Sequence, residues 1–250
     1  MNASPRLLLA VSASLGLWLT AFAQGIEDVL VERYHVRPGA TADAPPLITY
    51  RIFLDLAPGH SLVSIFGEKK RNLIFETTTR FVNDTLRSVP WGNLVDPGAL
   101  RQYPAALDSW LAFGFATNAH KGVPLHLDRD GSMLRGCKAY GDALMARDGL
   151  ARADVVPEVL CLDLSTSFVD RIDGNFIETE VGAFGVRGTV KGATEENMVL
   201  IAQLTTDGEL SFAINAAVRA PDGAIVKHLA YPAAASDETQ VPSLRRMSAH

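Results

Sequence analysis

Three polar side chains in one short segment have the types and spacing of a calcium-binding turn. Residues 126–132 read HLDRDGS, which places His126, Asp128 and Asp130 at alternate positions. Alternate side chains of an extended segment share a face, so we expect the three to converge. Calcium is the cofactor that this set suggests, since it takes roughly six to eight oxygen ligands. The interpretation that the sequence favours is a polar turn in which Asp130-Gly131 supplies the backbone shape, because no further acidic ligand follows. A calcium site at these three residues is the alternative, so no cofactor is required.

Aromatic side chains suggest a second kind of site. Trp91 stands in a loop between a proline and a glycine, which predicts an exposed ring that stacks on a sugar. Residues 110–115 read WLAFGF and have a strand pattern instead. That pattern predicts that the core residues of this strand are Leu111, Phe113 and Phe115, with Trp110 on the opposite face.

The two cysteines, Cys137 and Cys161, predict a disulfide if the protein is exported. The bond would close a loop of about 25 residues and stabilise the fold by about 3 kcal/mol if it is unstrained. Two separately buried thiols are the alternative. Neither cysteine has a CxxC partner, which argues against redox catalysis and against a zinc site.

Signatures of catalysis are absent from the sequence. It contains no G-x-S-x-G turn, no H-E-x-x-H helix and no P-loop. A catalytic triad assembled from distant residues stays open as an alternative. The paired carboxylates Glu195-Glu196 and Glu178/Glu180 have the chemistry of a glycosidase. Glu178 and Glu180 alternate on one strand face, however, which favours a solvated strand edge for that pair.

Strand patterns extend through most of the chain. In residues 48–56 (ITYRIFLDL) apolar and polar side chains alternate, as expected for a strand with one buried face. The other predicted strands are residues 29–36, 61–66, 72–82, 108–117, 155–164, 198–204, 209–218 and 224–229.

Five Asp-Gly pairs, beginning at residues 130, 148, 173, 207 and 222, punctuate these strands. An Asp-Gly between two strands is a strong signal for a tight hairpin. Asp207-Gly208 therefore predicts one hairpin and Asp222-Gly223 a second. No long helical pattern is present. These features together predict an all-β fold, specifically an antiparallel, jelly-roll-like β-sandwich with long loops.

The first residues have the pattern of a signal peptide. Arg6 precedes an apolar run at residues 7–19, and Ala21-Phe22-Ala23 provides a cleavage site. The run is shorter than the ~20 residues of a membrane-spanning helix. We therefore expect a signal peptide at residues 1–23, a single β-sandwich domain at residues 24–231 and a disordered tail at residues 232–250. No transmembrane segment is expected after cleavage.

Composition and charge exclude several classes of partner. The chain is 48% hydrophobic, which is enough to build a core and excludes a disordered protein. Its formal net charge is -5, which argues against nucleic acid and anionic lipid as partners.

Six short segments, taken in order, form a pattern that covers most of the chain. They are YRIFLDLAPG (50–59), IFETTT (74–79), DSWL (108–111), RDGL (147–150), GNF (174–176) and ENMVLIAQLTTDG (196–208). The pattern resembles a β-sandwich module of large exported bacterial proteins. The resemblance implies a secreted, periplasmic or cell-surface protein but assigns no chemistry. The chain differs from that family in having a single module and Phe184 where tryptophan is commoner.

The sequence therefore favours a secreted or cell-surface, non-catalytic protein that binds a glycan or a protein partner. A secreted hydrolase with a site assembled from loops is one alternative. A structural component of the cell surface or matrix is the other.

Overall fold

The computed structural model describes residues 25–84, 86–101, 104–137, 140–164 and 174–247, which are 44% strand and 11% helix. The predicted signal peptide at residues 1–23 lies outside these ranges. The strands are β1 (Ile26–Arg37), β2 (Leu47–Leu56), β3 (Ser61–Phe66), β4 (Leu73–Thr77), β5 (Trp110–Leu111), β6 (Phe115–Thr117), β7 (His120–Gly122), β8 (Leu150–Arg152), β9 (Val159–Leu162), β10 (Phe176–Thr179), β11 (Ala183–Val190), β12 (Met198–Thr206), β13 (Leu210–Ala213), β14 (Asn215–Arg219), β15 (Ile225–Leu229), β16 (Glu238–Gln240) and β17 (Arg245–Arg246). Two short helices, α1 (Pro97–Leu100) and α2 (Gly141–Ala146), lie in the connections. None of the helices in these ranges is long and apolar enough to cross a membrane.

The strands form four sheets. Sheet 1 has the order β1-β2-β12-β5, sheet 2 β10-β4-β13-β17, sheet 3 β16-β15-β14-β3-β11-β9 and sheet 4 β6-β7-β8. The all-β prediction is confirmed. The two-layer sandwich is not what forms, because the four sheets are arranged as a propeller-like ring. Alternation along a strand shows that one face is buried, but it does not select the neighbouring strand.

Sheet 1 separates two apolar clusters. The first core lies on one face of β2 and extends to sheets 2 and 3; it includes Ile52, Leu54, Phe75, Phe113, Phe184, Ile201 and Phe212. The second core lies on the opposite face, beneath the connecting segments; it includes Tyr34, Phe53, Leu100, Trp110, Tyr140, Leu144 and Leu200. Strand β12 is buried along almost its whole length because it packs against both cores.

Only one of the two predicted hairpins forms. Strands β14 and β15 pair antiparallel across Asp222-Gly223, with Arg219 opposite Ile225, which confirms the prediction there. The hairpin predicted at Asp207-Gly208 is wrong, because β12 belongs to sheet 1 and β13 to sheet 2. The chain crosses from one sheet to the next at this turn.

The C-terminal segment is structured through residue 247, so the predicted disordered tail at residues 232–250 is wrong over that part. Strand β16 pairs in parallel with β15, and β17 pairs antiparallel with β13. Val241 and Leu244 are buried in the first core. Two isolated apolar residues give no periodic pattern, so the sequence does not indicate that the C-terminal segment packs against the first core.

Candidate functional site

An open cleft of about 590 Å³ lies between the segment 127–130, strand β8 and the loop 193–196; we call it the polar cleft. Its charged and hydroxyl-bearing lining residues are Asp128, Arg129, Asp130, Arg152, Thr194, Glu195 and Glu196, and Val123, Leu127 and Leu150 provide apolar wall. Two of the three residues of the predicted calcium turn therefore line this cleft.

A buried arginine positions the turn on which the cleft is built. Arg51 lies on β2 with only 2% of its surface exposed. Its Nε donates to Gln203 Oε1 at 2.9 Å, and an Nη1 N–H donates to the carbonyls of Asp148 and Gly149 at 3.3 and 3.0 Å. The guanidinium carbon is 3.6 Å from the ring centroid of Tyr34. The turn at residues 148–149 is thus fixed to the centre of sheet 1.

Two carboxylates join this turn to the segment 128–133. Asp128 Oδ1 accepts the Asp130 N–H at 3.1 Å, while Asp128 Oδ2 accepts the N–H groups of Asp148 and Gly149 at 3.0 and 2.8 Å. In return, Asp148 Oδ2 accepts the Met133 N–H at 2.6 Å. Burial raises the pKa of Asp148, partly offset by this hydrogen bond. Each carboxylate therefore holds the backbone of the other segment.

Gly149 allows the turn to approach sheet 1 closely. Its φ is +64°, in the left-handed region that favours glycine. An added Cβ would lie 2.6 Å from the Val123 carbonyl oxygen and 2.7 Å from Arg51 Nη1. Asp148-Gly149 thus allows the backbone to lie close to Val123 and Arg51, and it does not form a hairpin turn.

The predicted calcium site at His126, Asp128 and Asp130 is not supported. His126 is exposed and lies in a short 3-10 turn at Leu125–Leu127, so the side chains do not alternate on one face. The Asp128 carboxylate is buried and occupied by three backbone N–H groups. Across the described ranges no three His, Cys, Asp or Glu side chains form a group that could hold a metal ion.

The opposite wall of the cleft is also fixed at its base. Asn197 follows the loop 193–196 with φ of +53° and is buried. Its Oδ1 accepts the Gly192 N–H at 2.9 Å, and its Nδ2 donates to the carbonyls of Ala57 and His60 at 3.2 and 3.0 Å. Lys121 Nζ donates to the Lys191 carbonyl at 2.9 Å. The loop therefore presents its carboxylates from an ordered base.

Charges of both signs face each other across the cleft. The pKa of Glu196 is lowered by hydrogen bonds from its own N–H and from the Thr194 hydroxyl, and further by the positive charge of Arg129. Nearby, the pKa of His120 is lowered by burial and by Arg152, with Asp130 acting in the opposite direction. The cleft thus holds two arginines together with Asp130, Glu195 and Glu196.

Trp91 is not an exposed stacking platform. Its half-buried ring packs against the first core, and its centroid lies 5.3 Å from that of Phe184. The ligand-binding role predicted for Trp91 from its loop context therefore has no support. The predicted core residues of the WLAFGF segment are confirmed as members of the first core. Trp110, on the opposite face as expected, is buried in the second core.

The predicted disulfide between Cys137 and Cys161 is not formed, and both thiols are free. Cys161 is exposed on β9, at the edge of sheet 3. Cys137 is half-buried against the second core. Sequence spacing permits the bond, but the two residues belong to separate parts of the fold. Burial raises the pKa of the Cys161 thiol.

Sequence reasoning missed the arginines of the site. In the alternating pattern of residues 48–56 Arg51 falls on the polar face, which predicts an exposed side chain, yet Arg51 is buried. One signal was present: Gln203 interrupts the nearly apolar strand β12, and a polar residue in a strand buried on both faces needs a partner. Nothing in the sequence around Arg129 and Arg152 indicates that they line a cleft.

The chain matches no protein-family model, no curated protein and no solved structure.

Proposed function

We propose that this chain is a secreted or cell-surface binding protein and that the polar cleft takes a glycan. The observation that carries the proposal is the presence of guanidinium donors and carboxylate acceptors in one open cleft of about 590 Å³. Cavities of about 300–1,000 Å³ are typical of ligand sites.

The chemistry of the lining suits a neutral polyhydroxylated ligand. Each sugar hydroxyl both donates and accepts, so it is satisfied by a wall that carries both Arg152 and Glu195. A strongly anionic or cationic ligand would meet like charges on one side of the cleft. A protein partner would need a larger surface, of about 1,000 Å² or more.

The base of the cleft supports binding because it is ordered before any ligand arrives. The hydrogen bonds around Asp128 and Asn197 fix both walls, so few rotatable groups lose freedom on binding. Export is supported by the leader pattern at residues 1–23 and by the resemblance to exported modules. The absence of catalytic motifs supports binding without turnover.

Thermal unfolding with a panel of neutral oligosaccharides tests the proposal. A glycan that binds the folded state raises the unfolding midpoint by mass action. We expect Arg152→Ala to weaken that binding at least about 10-fold, because a charge-assisted donor is lost. The matched control is Arg219→Ala, an exposed arginine at the end of β14 that should bind normally.

Two results would overturn this function. One is the absence of any midpoint shift over the panel, which would leave a protein partner or a structural role. The other is release of new reducing ends from a bound glycan, which would make the protein a hydrolase.

A further inference from the structure

A second open cavity, of about 480 Å³, shares no lining residue with the polar cleft. Its wall is mainly apolar and includes Val218, Ala220, Pro221, Ala224 and Val226. Its polar lining residues are His60, Asp222, His228 and Thr239, and we call it the histidine cavity. A mainly apolar cavity of about 300–1,000 Å³ with a few polar groups is the usual form of a small-molecule site.

The two imidazole rings of this cavity lie against Gly25, the residue before β1. An added Cβ on Gly25 would lie 3.1 Å from His228 Nε2 and 3.2 Å from His60 Cδ2. Both rings therefore approach the same backbone position, which is possible because Gly25 has no side chain. His228 stands on β15 and His60 directly precedes β3, so two strands of sheet 3 position the pair.

Each imidazole donates from one nitrogen and leaves the other as an acceptor. His60 Nδ1 is 3.3 Å from the Pro58 carbonyl oxygen, and His228 Nδ1 is 3.2 Å from the Val226 carbonyl oxygen. A carbonyl oxygen only accepts, so both Nδ1 atoms carry the proton. Neither Nε2 makes a hydrogen bond to the described residues, and neither is among the fully enclosed side-chain atoms without a partner. Each Nε2 therefore keeps accessible surface, and because both residues are otherwise buried and line the cavity, that surface opens into it.

The surroundings favour a neutral ligand over an anion. Burial lowers the pKa of His228, opposed by the hydrogen bond to the Val226 carbonyl and reinforced by the neighbouring His60. The charged side chain of the wall is Asp222, whose Oδ1 accepts the Ala224 N–H at 2.9 Å, and no lysine or arginine is among the described lining residues. An anion would therefore meet no permanent positive charge, whereas a neutral donor meets two acceptors.

We propose that the histidine cavity binds a small neutral molecule with an apolar body and a hydroxyl group, such as a phenol, whose O–H donates to the imidazole pair. Thr239 is paired with His228 between β16 and β15 and adds a hydroxyl beside this acceptor. Because the cavity is open, water competes for both Nε2 atoms. The apolar body of the ligand therefore supplies most of the affinity, and the hydroxyl adds selectivity.

Phenol and anisole form a matched pair of probes, because anisole keeps the ring and the oxygen atom but has no O–H. In ¹H–¹³C NMR titrations of the untagged protein, we expect the ring resonances of His60 and His228 to shift saturably with phenol. Anisole should bind about 5-fold more weakly, which corresponds to the net contribution of one hydrogen bond. Ring resonances that do not move with phenol, or equal binding of the two probes, would overturn the proposal.

His60→Phe and His228→Phe assign the resonances by their disappearance and each remove one acceptor while keeping an aromatic ring. Each substitution should reduce the preference for phenol over anisole, and an unchanged preference in both would contradict the assigned acceptors. The matched control is His126→Phe, an exposed histidine outside the cavity that should leave the preference as in wild type. The wild-type comparison remains decisive if a variant does not fold. Arg152→Ala in the polar cleft should leave phenol binding unaltered, so this proposal and the glycan proposal fail independently.

Discussion

The two cores lie on opposite faces of sheet 1 and differ in how they are enclosed. The first core is surrounded by strands of three sheets. The second core is covered by short helices, 3-10 turns and irregular segments. All six buried side-chain atoms without a partner in the described ranges lie on segments that pack around the second core.

This difference shows where the fold tolerates polar groups. Strand ladders satisfy their own backbone groups, so an enclosed sheet face can be entirely apolar. Irregular segments carry backbone and side-chain groups that need other partners, and these bring Arg51, Asp108, Asp128 and Asp148 into the interior. Binding and catalytic residues are commonly carried by such segments. The polar cleft accordingly borders the second core, since Leu150 belongs to both.

The two cores are expected to differ most in the stability that a leucine-to-alanine substitution removes. Leu54→Ala, on β2 in the first core, should reduce the free energy of unfolding by about 4 kcal/mol. Leu144→Ala, on α2 in the second core, should cost about 2 kcal/mol because the covering segment can collapse into the space. Urea unfolding measures both. Equal losses would show that the second core is as tightly constrained as the first.

Arg51 tests whether polar groups hold the second core together. Arg51→Met should lower the free energy of unfolding by about 3 kcal/mol, because it removes three charge-assisted hydrogen bonds and leaves Gln203 Oε1 without a donor. The carbonyls of Asp148 and Gly149 each keep one donor, the Tyr34 hydroxyl and the Val123 N–H. The exposed Arg219→Met should stay within about 0.5 kcal/mol of wild type in the same urea experiment. If Arg51→Met leaves the free energy of unfolding unchanged, apolar packing of the methionine compensates for the lost hydrogen bonds of Arg51.

A smaller effect is expected from the ionisation of Asp108. Its pKa is raised to about 7 by burial in the folded protein, whereas an unfolded aspartate titrates near about 3.9. The unfolded state therefore binds fewer protons between these values, so this contribution to stability is complete below about pH 4 and is lost as pH rises through about 7. The full shift corresponds to about 4 kcal/mol. We expect about 2 kcal/mol, because Asp108 lines two cavities that admit water.

Urea unfolding of wild type and Asp108→Asn at about pH 4, 5.5 and 7 isolates this contribution. Burial also raises the pKa values of Glu32 and Asp148, which act in the same direction. Only the difference between the two proteins therefore reports on Asp108. Parallel pH profiles would show that Asp108 is solvated in the folded state.

Much of the fold class could be predicted because alternation is a local property. The strand at residues 48–56 appears as β2, and the Asp222-Gly223 hairpin forms as expected. Sheet membership depends on distant partners and could not be predicted. Asp207-Gly208 has the same residues as the Asp222-Gly223 turn, yet Gly208 lies against the hydroxyl oxygens of Thr77, Thr78 and Thr79 at a crossing between sheets.

The candidate site was predictable only in part. The segment 126–132 is recognisable from the sequence as polar, and its residues 127–130 line the cleft. The polar turn that the sequence favours is consistent with the structure, whereas the calcium alternative has no support. Nothing in the sequence shows that the backbone at residues 148–149 occupies the Asp128 carboxylate. The exposure of the Trp91 ring was mispredicted for a similar reason, because the ring packs against Phe184, which is remote in sequence.

The pairing of β2 with β12 has a consequence for the rate of folding. It brings together Arg51 and Gln203, which are 152 positions apart, and sheet 3 similarly joins Phe66 to Asn215 across 149 positions. Topologies dominated by such non-local pairs fold slowly, typically in milliseconds to seconds. The segments that cover the second core lie inside these long loops. Because most of these segments take no part in the strand pairing, we expect them to open locally at a lower free-energy cost than global unfolding.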